Sequence, residues 1–427
     1  MQRHSIYLLL LSVVGLIALG VVMLFSTSAF AQDSHGDIYY FVKRQLFWLG
    51  IGLILCVGAA VVDYHWWRRT WPIWLGMSVI LLMLCFVPHI GMRLNGSSRW
   101  LNLRVAAFQP SEIGKLASVF FLAWWFSRED ISCFVEPVQN SLIGMQDKER
   151  GAQRRSVYDN TRRREHHSDA VLRHSSRIFN GFLQTMVIPL AVLALPLALI
   201  AAEVDLGTTA LIGTMALALM FVGGARLLYL VPMLGAGFAG LIGLIYLIPE
   251  RAARMMTFLH PESDKLGKGL QQWQALIAFG SGGIEGLGLG EGRQKMLYLP
   301  YAHTDFIFPM IGEELGLRAT WAVIFCYVLI LLSGGLIAAN ARDRFGKLLA
   351  LGLVFLISLQ AIVNIGMTIS LLPNKGMPLP FISYGGTDLA VCLFMIGILV
   401  NIHRGGIPLV VPEERTTILN SRALPRV

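Results

Sequence analysis

Charged side chains and cysteines are scarce in this chain. Asp, Glu, Lys and Arg together make up 14% of its 427 residues, and there are five cysteines, none of them spaced as Cys-x-x-Cys. The glycines between Gly280 and Gly292 do not fit the Gly-x-Gly-x-x-Gly fingerprint, and Gly267-Lys268-Gly269 lacks the Ser/Thr and the upstream glycine of a P-loop. These absences argue against a nucleotide-binding enzyme, a disulfide framework and a cysteine-based metal site.

Long apolar runs dominate instead. Hydrophobic residues make up 55% of the chain, and a helix that crosses a bilayer needs roughly 20 mostly apolar residues. Ten runs approach or reach this length: 6–25, 45–62, 71–88, 111–126, 182–201, 206–223, 227–248, 318–339, 348–370 and 384–402. Because backbone groups in lipid must pair within their own segment, these runs predict helices. The expected fold class is an all-α polytopic membrane protein with about ten transmembrane helices.

The basic residues predict which side of the membrane each loop occupies. Most of them lie at the two ends and in alternate loops, whereas the loop 250–317 holds six basic against eight acidic residues. Positive charge marks the cytoplasmic side, so we expect both termini inside and this loop, between helices seven and eight, outside. The net charge of +9 follows from topology and does not indicate nucleic-acid binding. Ala29-Phe30-Ala31 imitates a signal-peptide cleavage site, but the preceding apolar run is too long, so we expect a retained first helix.

We expect the chain to form one transmembrane domain, 1–427. Its polar regions are an insertion, a C-terminal tail and a group of segments on the outer side. Segment 127–178 is rich in Arg, Asp, Glu and Ser and is expected to be a flexible cytoplasmic insertion. Residues 403–427 are expected to form a cytoplasmic tail. Segments 91–108 and 371–387 join the loop 250–317 on the outer side, and three prolines and three glycines in 371–387 exclude a straight helix there. Irregular backbone near the membrane needs protein or water to satisfy it, so these outer segments predict a shared cavity.

Asp264 is the strongest single candidate for chemistry. A carboxylate just outside a span can take a proton from a sugar hydroxyl, and partial desolvation would make it a better base. An aspartate that ends a turn after Pro261 is the plainer alternative. Arg251 and Arg254 are spaced i, i+3, so they could hold a pyrophosphate together or could extend separately to the membrane surface.

Further polar residues lie where the loop 250–317 ends. Thr304 or Asp305, beside His303, could cap a helix that begins there, with Pro309 tolerated in its first turns. Acids that face lipid are costly. At least one of two neighbouring acids should therefore face the interior of the bundle: Glu313 or Glu314.

The start of the fourth span carries a second polar group. Ser111 could cap this helix after a break at Pro110. Glu112 and Lys115 are spaced to pair with each other, although an intramembrane lysine is also a functional candidate. Trp100, beside Arg99, either anchors at the membrane interface or stacks on a sugar.

Several strings resemble one family, the SEDS proteins (shape, elongation, division and sporulation). They occur in the family's order: Gly96-Ser-Ser-Arg-Trp-Leu, Gln109-Pro-Ser-Glu-Ile-Gly-Lys115, Asp205-Leu-Gly-Thr208, Ile277-Ala-Phe-Gly-Ser-Gly-Gly283, Tyr298-Leu-Pro, His303-Thr-Asp-Phe-Ile-Phe308, Gly312-Glu-Glu-Leu-Gly316 and Pro378-Leu-Pro-Phe-Ile-Ser-Tyr-Gly-Gly386. Within the family, Gly312-Glu-Glu and Asn374-Lys375-Gly376 are closer to the division-type FtsW branch than to the elongation-type RodA branch.

The resemblance implies a peptidoglycan glycosyltransferase of the bacterial inner membrane, placed by its branch at the division septum. Such enzymes polymerise lipid II and release undecaprenyl pyrophosphate, with a class B penicillin-binding protein and other divisome proteins as partners. The family's essential aspartate matches Asp264, which makes 250–317 the catalytic loop. No cofactor or metal ligand is implied, and assistance by a divalent cation stays open. By the same match the expected cavity residues are Trp100, Lys115, His303, Thr304, Asp305 and Ser383. Together with residues singled out by position, the full set expected to bind substrate is Arg99, Trp100, Glu112, Lys115, Arg251, Arg254, Gln274, His303, Thr304, Asp305, Lys375 and Ser383.

The chain departs from the family pattern at several positions. Lys265 follows Asp264 where the family usually has proline, and Glu203-Val204 replaces Gln-Pro before the Asp-Leu-Gly match. These changes leave the geometry of the catalytic loop open. Two other functions also stay open. One is a lipid II flippase, whose path would use polar residues within the spans. The other is a divisome scaffold without chemistry, which would act through segment 127–178.

Overall fold

The computed structural model describes residues 2–28, 37, 39–94, 97–102, 107–128, 180–247, 258, 264, 265, 267, 269–296 and 298–406. The helices are α1 (Gln2–Ser28), α2 (Tyr40–Val61), α3 (His65–Leu84), α4 (Pro110–Phe126), α5 (Ile188–Ala202, after a π-helical turn at Leu183–Val187), α6 (Leu206–Gly223), α7 (Leu227–Leu247), α8 (Leu270–Gly282), α9 (Ile307–Ala339), α10 (Arg344–Thr368) and α11 (Thr387–Gly406). Most of the expected cytoplasmic insertion and most of the tail lie outside the described residues.

The expected all-α membrane fold is confirmed. Among the residues that the structure describes, seven helices are long and apolar enough to cross a bilayer: α1, α2, α5 with its preceding turn, α6, α9, α10 and α11. The other three expected spans coincide with α3, α4 and α7, so each apolar run read from the sequence is a helix. The count of ten transmembrane helices stays a prediction, because α3, α4 and α7 are not among the seven.

Small residues allow the helices to approach each other closely. The pairs α2–α11 and α1–α9 pack extensively. A Cβ at Gly397 of α11 would overlap the carbonyl of Cys56 in α2, and a Cβ at Gly52 of α2 would lie 3.1 Å from the Cα of Ala390. Such glycines let backbones meet where lipid supplies no hydrophobic drive between helices. Helix α4 lies inside the bundle, with nearly all of its residues buried.

Two of the segments expected on the outer side differ in structure from the sequence expectation. Segment 91–108, expected to be irregular, forms an antiparallel sheet of β1 (Gly91–Leu94), β2 (Ser97–Asn102) and β3 (Ala107–Phe108), in which Trp100 lies opposite Met92. The loop 250–317 contains a helix, α8, that the apolar runs did not predict. Segment 371–387 is non-helical up to the start of α11, as its prolines and glycines indicated.

Helix α9 is broken at Gly316, whose φ of 74° and ψ of −174° are not helical. The break frees the carbonyls of Glu313 and Glu314, which accept hydrogen bonds from the backbone N–H groups of Leu287 (2.9 Å) and Gly288 (3.0 Å). The glycine-rich turn after α8 therefore supplies the backbone partners that the interrupted helix lacks, as irregular backbone at a membrane requires.

Replacement of Gly316 by alanine is expected to destabilise the protein. A side chain at φ 74° is strained by about 1–3 kcal/mol, and its Cβ would overlap the backbone of Ile284 and Gly286. We expect a lower melting temperature in detergent for Gly316→Ala. Gly335→Ala in the same helix is the matched control, because a Cβ there meets nothing within 4 Å, and its melting temperature should stay at or slightly above the wild-type value. Equal melting temperatures for Gly316→Ala and the wild type would contradict the role of the break.

Candidate functional site

Asp264 lies in a short turn that leads into α8. Its carbonyl oxygen accepts hydrogen bonds from the backbone N–H groups of Gly267 (3.4 Å) and Gly269 (3.2 Å). The residue is partly exposed, and its carboxylate lies directly against the Cα of Gly267, where a Cβ would overlap both carboxylate oxygens. The turn thus holds the backbone of Asp264 while leaving its side chain partly open to solvent.

Helix α8 is held against segment 371–387. The side-chain oxygen of Gln271 accepts a hydrogen bond of 2.5 Å from Asn374, and the amide of Gln272 donates to the carbonyl oxygen of Leu372 at 3.3 Å. Gln274 is partly exposed on the next turn, and its i, i+3 spacing places it on the same side of the helix as Gln271. These two contacts join α8, within the loop 250–317, to segment 371–387.

Asp305 also lies against segment 371–387. A Cβ at Gly376 would lie 3.1 Å from the Oδ2 of Asp305, and the side chain of Asn364 donates to the Asp305 carbonyl oxygen at 2.9 Å. Burial raises the pKa of Asp305 to about 7, with the guanidinium of Arg99 opposing this rise and Asp205 adding to it. An acid with this pKa changes its charge near neutral pH.

Arg99 connects the sheet to the turn between α5 and α6. Its Nη2 donates a hydrogen bond of 2.7 Å to the carbonyl oxygen of Val204, a β-branched residue held at φ 67°. The neighbouring Glu203 is buried, and loss of solvation raises the pKa of its carboxyl to about 8. Lys375 packs here as well, because a Cβ at Gly207 would lie 3.6 Å from its Cβ. The fold therefore brings three of the predicted site residues to one region: Arg99, Asp305 and Lys375. The sequence reasoning did not single out Glu203 as a site residue and noted it only as a departure from the family pattern.

Two expected helix caps are wrong: Thr304 or Asp305 as the cap of α9, and Ser111 as the cap of α4. The residue before α9 is Phe306, which makes no side-chain capping bond, and the hydroxyl of Thr304 donates instead to the carbonyl of Tyr301 at 3.2 Å. At α4 the cap position is Gln109, again without a side-chain bond to the backbone, and Pro110 opens the helix. Ser111 accepts a bond of 3.0 Å from the Gln109 side chain. Both helices are positioned by tertiary contacts that local sequence does not show.

His303 and Ser383 are buried where the residues before α9 pack against α2 and segment 371–387. The His303 ring lies 4.1 Å from that of Phe41, and its carbonyl accepts from the backbone N–H of Tyr384 at 3.0 Å. The Ser383 hydroxyl accepts a bond of 2.8 Å from the backbone N–H of Leu379. These contacts give both residues structural roles in the site's framework. Trp100 is partly buried on β2.

A buried ion network surrounds Lys115. Its Nζ lies 2.6 Å from Glu112 of the same helix and 3.4 Å from Asp388 of α11, and it donates to the side-chain oxygen of Gln360 in α10 at 2.8 Å. The Gln360 amide in turn donates to Asp388 at 2.8 Å. The pairing expected from the spacing of Glu112 and Lys115 is confirmed, whereas the contributions of Asp388 and Gln360 were missed.

Glu313 and Glu314 both face the interior and hold the glycine-rich turn. Glu313 accepts from the backbone N–H of Arg293 at 2.8 Å, and Glu314 accepts from that of Gly290 at 2.9 Å. Lys295, also buried, lies 2.7 Å from Glu314. The prediction that at least one of the two acids faces inward is confirmed, and the lysine partner was not predicted.

Arg251 and Arg254 lie outside the described residues. Within the part of the chain that the structure describes, no group of three or more His, Cys, Asp and Glu side chains is arranged to hold a metal ion. The described site therefore consists of one partly exposed carboxylate beside α8, a second titratable acid, and the cationic side chains of Arg99 and Lys375.

The fold and this arrangement define a polytopic helical membrane protein with a polar site at one end of its bundle. The chain matches the profile of the family described as "Cell cycle protein", which groups FtsW, RodA and SpoVE, over residues 7–150 and 166–406. It belongs to this family, and the resemblance seen in its motifs is confirmed.

Two relatives illustrate how far the similarity extends. The chain is 37% identical over 404 residues to the "Probable peptidoglycan glycosyltransferase FtsW" of Trichlorobacter lovleyi, covering 93% of this chain and 92% of that protein. It is 34% identical over 401 residues to the stage V sporulation protein E of Bacillus subtilis, covering 93% and 96%. The similarity therefore spans nearly the whole of each protein.

Solved structures share the fold. One belongs to a study described as "Structural coordination of polymerization and crosslinking by a peptidoglycan synthase complex", with a TM-score of 0.68 at 22% identity, covering 94% of this chain and 98% of that one. The rod shape determining protein RodA of Thermus thermophilus matches with a TM-score of 0.60 at 23% identity, covering 93% and 95%.

Proposed function

We propose that this protein is a peptidoglycan glycosyltransferase that polymerises lipid II into β-1,4-linked glycan strands during septal cell-wall synthesis. Two findings support the reaction class. The chain belongs to this family, and it matches, over nearly its whole length, relatives that are named as probable peptidoglycan glycosyltransferases. The observation that carries the site is the position of Asp264, a partly exposed carboxylate in a turn fixed to α8.

In the proposed reaction Asp264 is the general base. Its carboxylate takes the proton from the 4-hydroxyl of the acceptor's N-acetylglucosamine, and that oxygen attacks the anomeric carbon of the donor's N-acetylmuramic acid. The bond between this carbon and the phosphate oxygen breaks, so undecaprenyl pyrophosphate leaves with the bonding electrons. Attack opposite an α-linked leaving group inverts the centre and forms the β bond.

Positive charge near the site would stabilise the departing diphosphate. Arg99 and Lys375 are the described cations that lie in the region of Asp305 and of the start of α6. Arg251 and Arg254 remain predicted contributors. Lys115 is a poor candidate, because its ammonium is buried between two carboxylates.

The proposed partner is a class B penicillin-binding protein. A glycan strand needs a transpeptidase to be crosslinked, and a solved structure with this fold comes from a synthase complex that coordinates polymerization and crosslinking. We propose the bacterial inner membrane at the division septum as the location, with both termini in the cytoplasm, 250–317 outside as the catalytic loop, and contacts to other divisome proteins.

A reconstitution experiment tests this function. Purified protein in liposomes, with and without its class B partner, is supplied with fluorescent lipid II, and the products are separated by gel electrophoresis. We expect glycan strands that a muramidase degrades. Transbilayer movement of lipid II without strands would instead identify a flippase, and neither activity alongside normal recruitment of division proteins would identify a scaffold.

A further inference from the structure

Lys265, directly after Asp264, makes a contact that its position in the turn does not require. Its ammonium lies over the indole ring of Trp273, 4.4 Å from the ring centroid. A cation at this distance is attracted by the ring's quadrupole, and Trp is the most favourable aromatic partner. Since Trp273 belongs to the first turns of α8, this contact joins the turn of Asp264 to the helix that follows it.

Trp273 can restrain the position of Lys265 because its own helix, α8, is packed against the rest of the bundle. Ala275 and Ala278 of α8 are fully buried, and α8 packs extensively against α9. The backbone N–H of Trp273 donates to the carbonyl oxygen of Gly269 at 2.9 Å. Movement of Lys265, and with it Asp264, is therefore restrained relative to the bundle.

Gly267 supplies the second constraint, because it makes room for the Asp264 carboxylate. An added Cβ would overlap both carboxylate oxygens. The backbone of Gly267 does not have positive φ, and the residue is exposed, so alanine is compatible with the backbone and removes no buried contact. A side chain at position 267 would therefore mainly displace the Asp264 carboxylate from its place.

We propose that Lys265 and Trp273 form a clamp that positions the Asp264 carboxylate, and that Gly267 leaves the space that the carboxylate occupies. This inference rests on the proposed function, in which Asp264 is the base. None of the three residues needs to touch substrate, so all three are positioning residues. A base displaced by about 1 Å can cost as much as a hundredfold in rate, because proton transfer depends on hydrogen-bond geometry.

The test compares kcat and KM for lipid II polymerisation in the partner-bound enzyme. Lys265→Met, Trp273→Leu and Gly267→Ala are each expected to lower kcat about tenfold or more while changing KM less than about twofold, since only transition-state geometry is lost. Lys265→Arg and Trp273→Phe keep a cation and a ring face, so they should restore most of the rate. Gly280→Ala on α8 is the matched control, because a Cβ there meets nothing within 4 Å.

A double-mutant cycle checks that the two clamp residues act together. The Lys265→Met/Trp273→Leu variant should be no slower than the slower single variant, because the first change already releases the turn. Purely additive losses would overturn the clamp, as would a raised KM with unchanged kcat, which would place Lys265 on the substrate. A Gly267→Ala variant with wild-type kcat would overturn the role of the glycine.

Failure of this inference is distinguishable from failure of the proposed function. If Asp264→Asn is inactive while the clamp and glycine variants retain wild-type kcat, Asp264 is still supported as the base, but the positioning role of the other three residues is wrong. If the wild-type protein forms no strands, the proposed function itself is wrong. If Asp264→Asn forms them normally, the polymerase activity holds but the assignment of Asp264 as the base is wrong, and with it the positioning role.

Discussion

Asp264→Asn is expected to abolish measurable strand synthesis from lipid II. The amide keeps the shape of the side chain but cannot accept the proton of the acceptor hydroxyl, and loss of a general base costs about 10²–10⁴ in rate. The variant should still fold, because the turn uses the backbone carbonyl of Asp264 for its hydrogen bonds to Gly267 and Gly269. The measurement is the initial rate of polymerisation by the partner-bound enzyme, with the melting temperature recorded in parallel.

The matched control is Glu285→Gln, a change of the same kind in the same loop. Glu285 is exposed and lies 3.4 Å from an equally exposed Arg318, and such surface pairs contribute little to stability. We expect wild-type rates for this control. A rate for Asp264→Asn within about tenfold of the control would show that another group accepts the proton, since the expected loss is far larger.

Asp264→Glu separates charge from position. It retains a carboxylate but adds one methylene, which moves the oxygens away from their place against Gly267. A rate between those of the wild type and Asp264→Asn would indicate that placement of the base matters as well as its charge. Full activity of Asp264→Glu would show that the turn does not fix the geometry tightly.

The helices could be predicted from the sequence because their signal is local. An apolar run long enough to cross a bilayer must be helical whatever surrounds it, and the predicted bounds 206–223 are those of α6. The same reasoning fails at Gly316. The predicted span 318–339 begins just after the break in α9. A helix beginning after Asp305 was expected, but the apolar runs did not show that its turns from Ile307 to Leu315 join this span, because polar residues interrupt the apolar pattern there.

The site was predictable only in part, for a different reason. Motif resemblance singled out Asp264, Asp305 and Lys375, and the structure shows Asp264 in the turn before α8 and Asp305 beside Gly376, the residue after Lys375. Spacing along a helix indicates which neighbours can pair, as for Glu112 and Lys115, but it does not show which other helix faces them. The partner Asp388 is 273 residues away in sequence. Contacts of this kind depend on the assembled bundle.

Lys115→Met is expected to destabilise the protein more than Gly316→Ala does. It removes the ammonium that lies within 3.4 Å of both Glu112 and Asp388, leaving two carboxylates buried without their cation. Breaking a buried pair by removal of one partner costs about 3–5 kcal/mol. We expect a clearly lower melting temperature and poor recovery of folded protein, measured in detergent against the wild type.

Two further variants identify the cause of this loss. In the triple variant Lys115→Met/Glu112→Gln/Asp388→Asn both carboxylates are replaced by neutral amides. Most of the lost stability should return, because no uncompensated buried charge remains. Lys43→Met removes an exposed lysine that lies 2.8 Å from Asp37, and a surface pair contributes only about 0–1 kcal/mol. This control should melt within a degree or two of the wild type.

The same variants decide between a structural and a substrate-binding role for Lys115. If the network serves only to join α4, α10 and α11, the triple variant should recover polymerisation together with stability. If Lys115 binds the substrate, the triple variant should fold but show a raised KM for lipid II or no activity. The structure favours the first outcome, because the Lys115 side chain is only 4% exposed and its ammonium also donates to Gln360. A lysine engaged by three protein partners has little capacity left for a diphosphate.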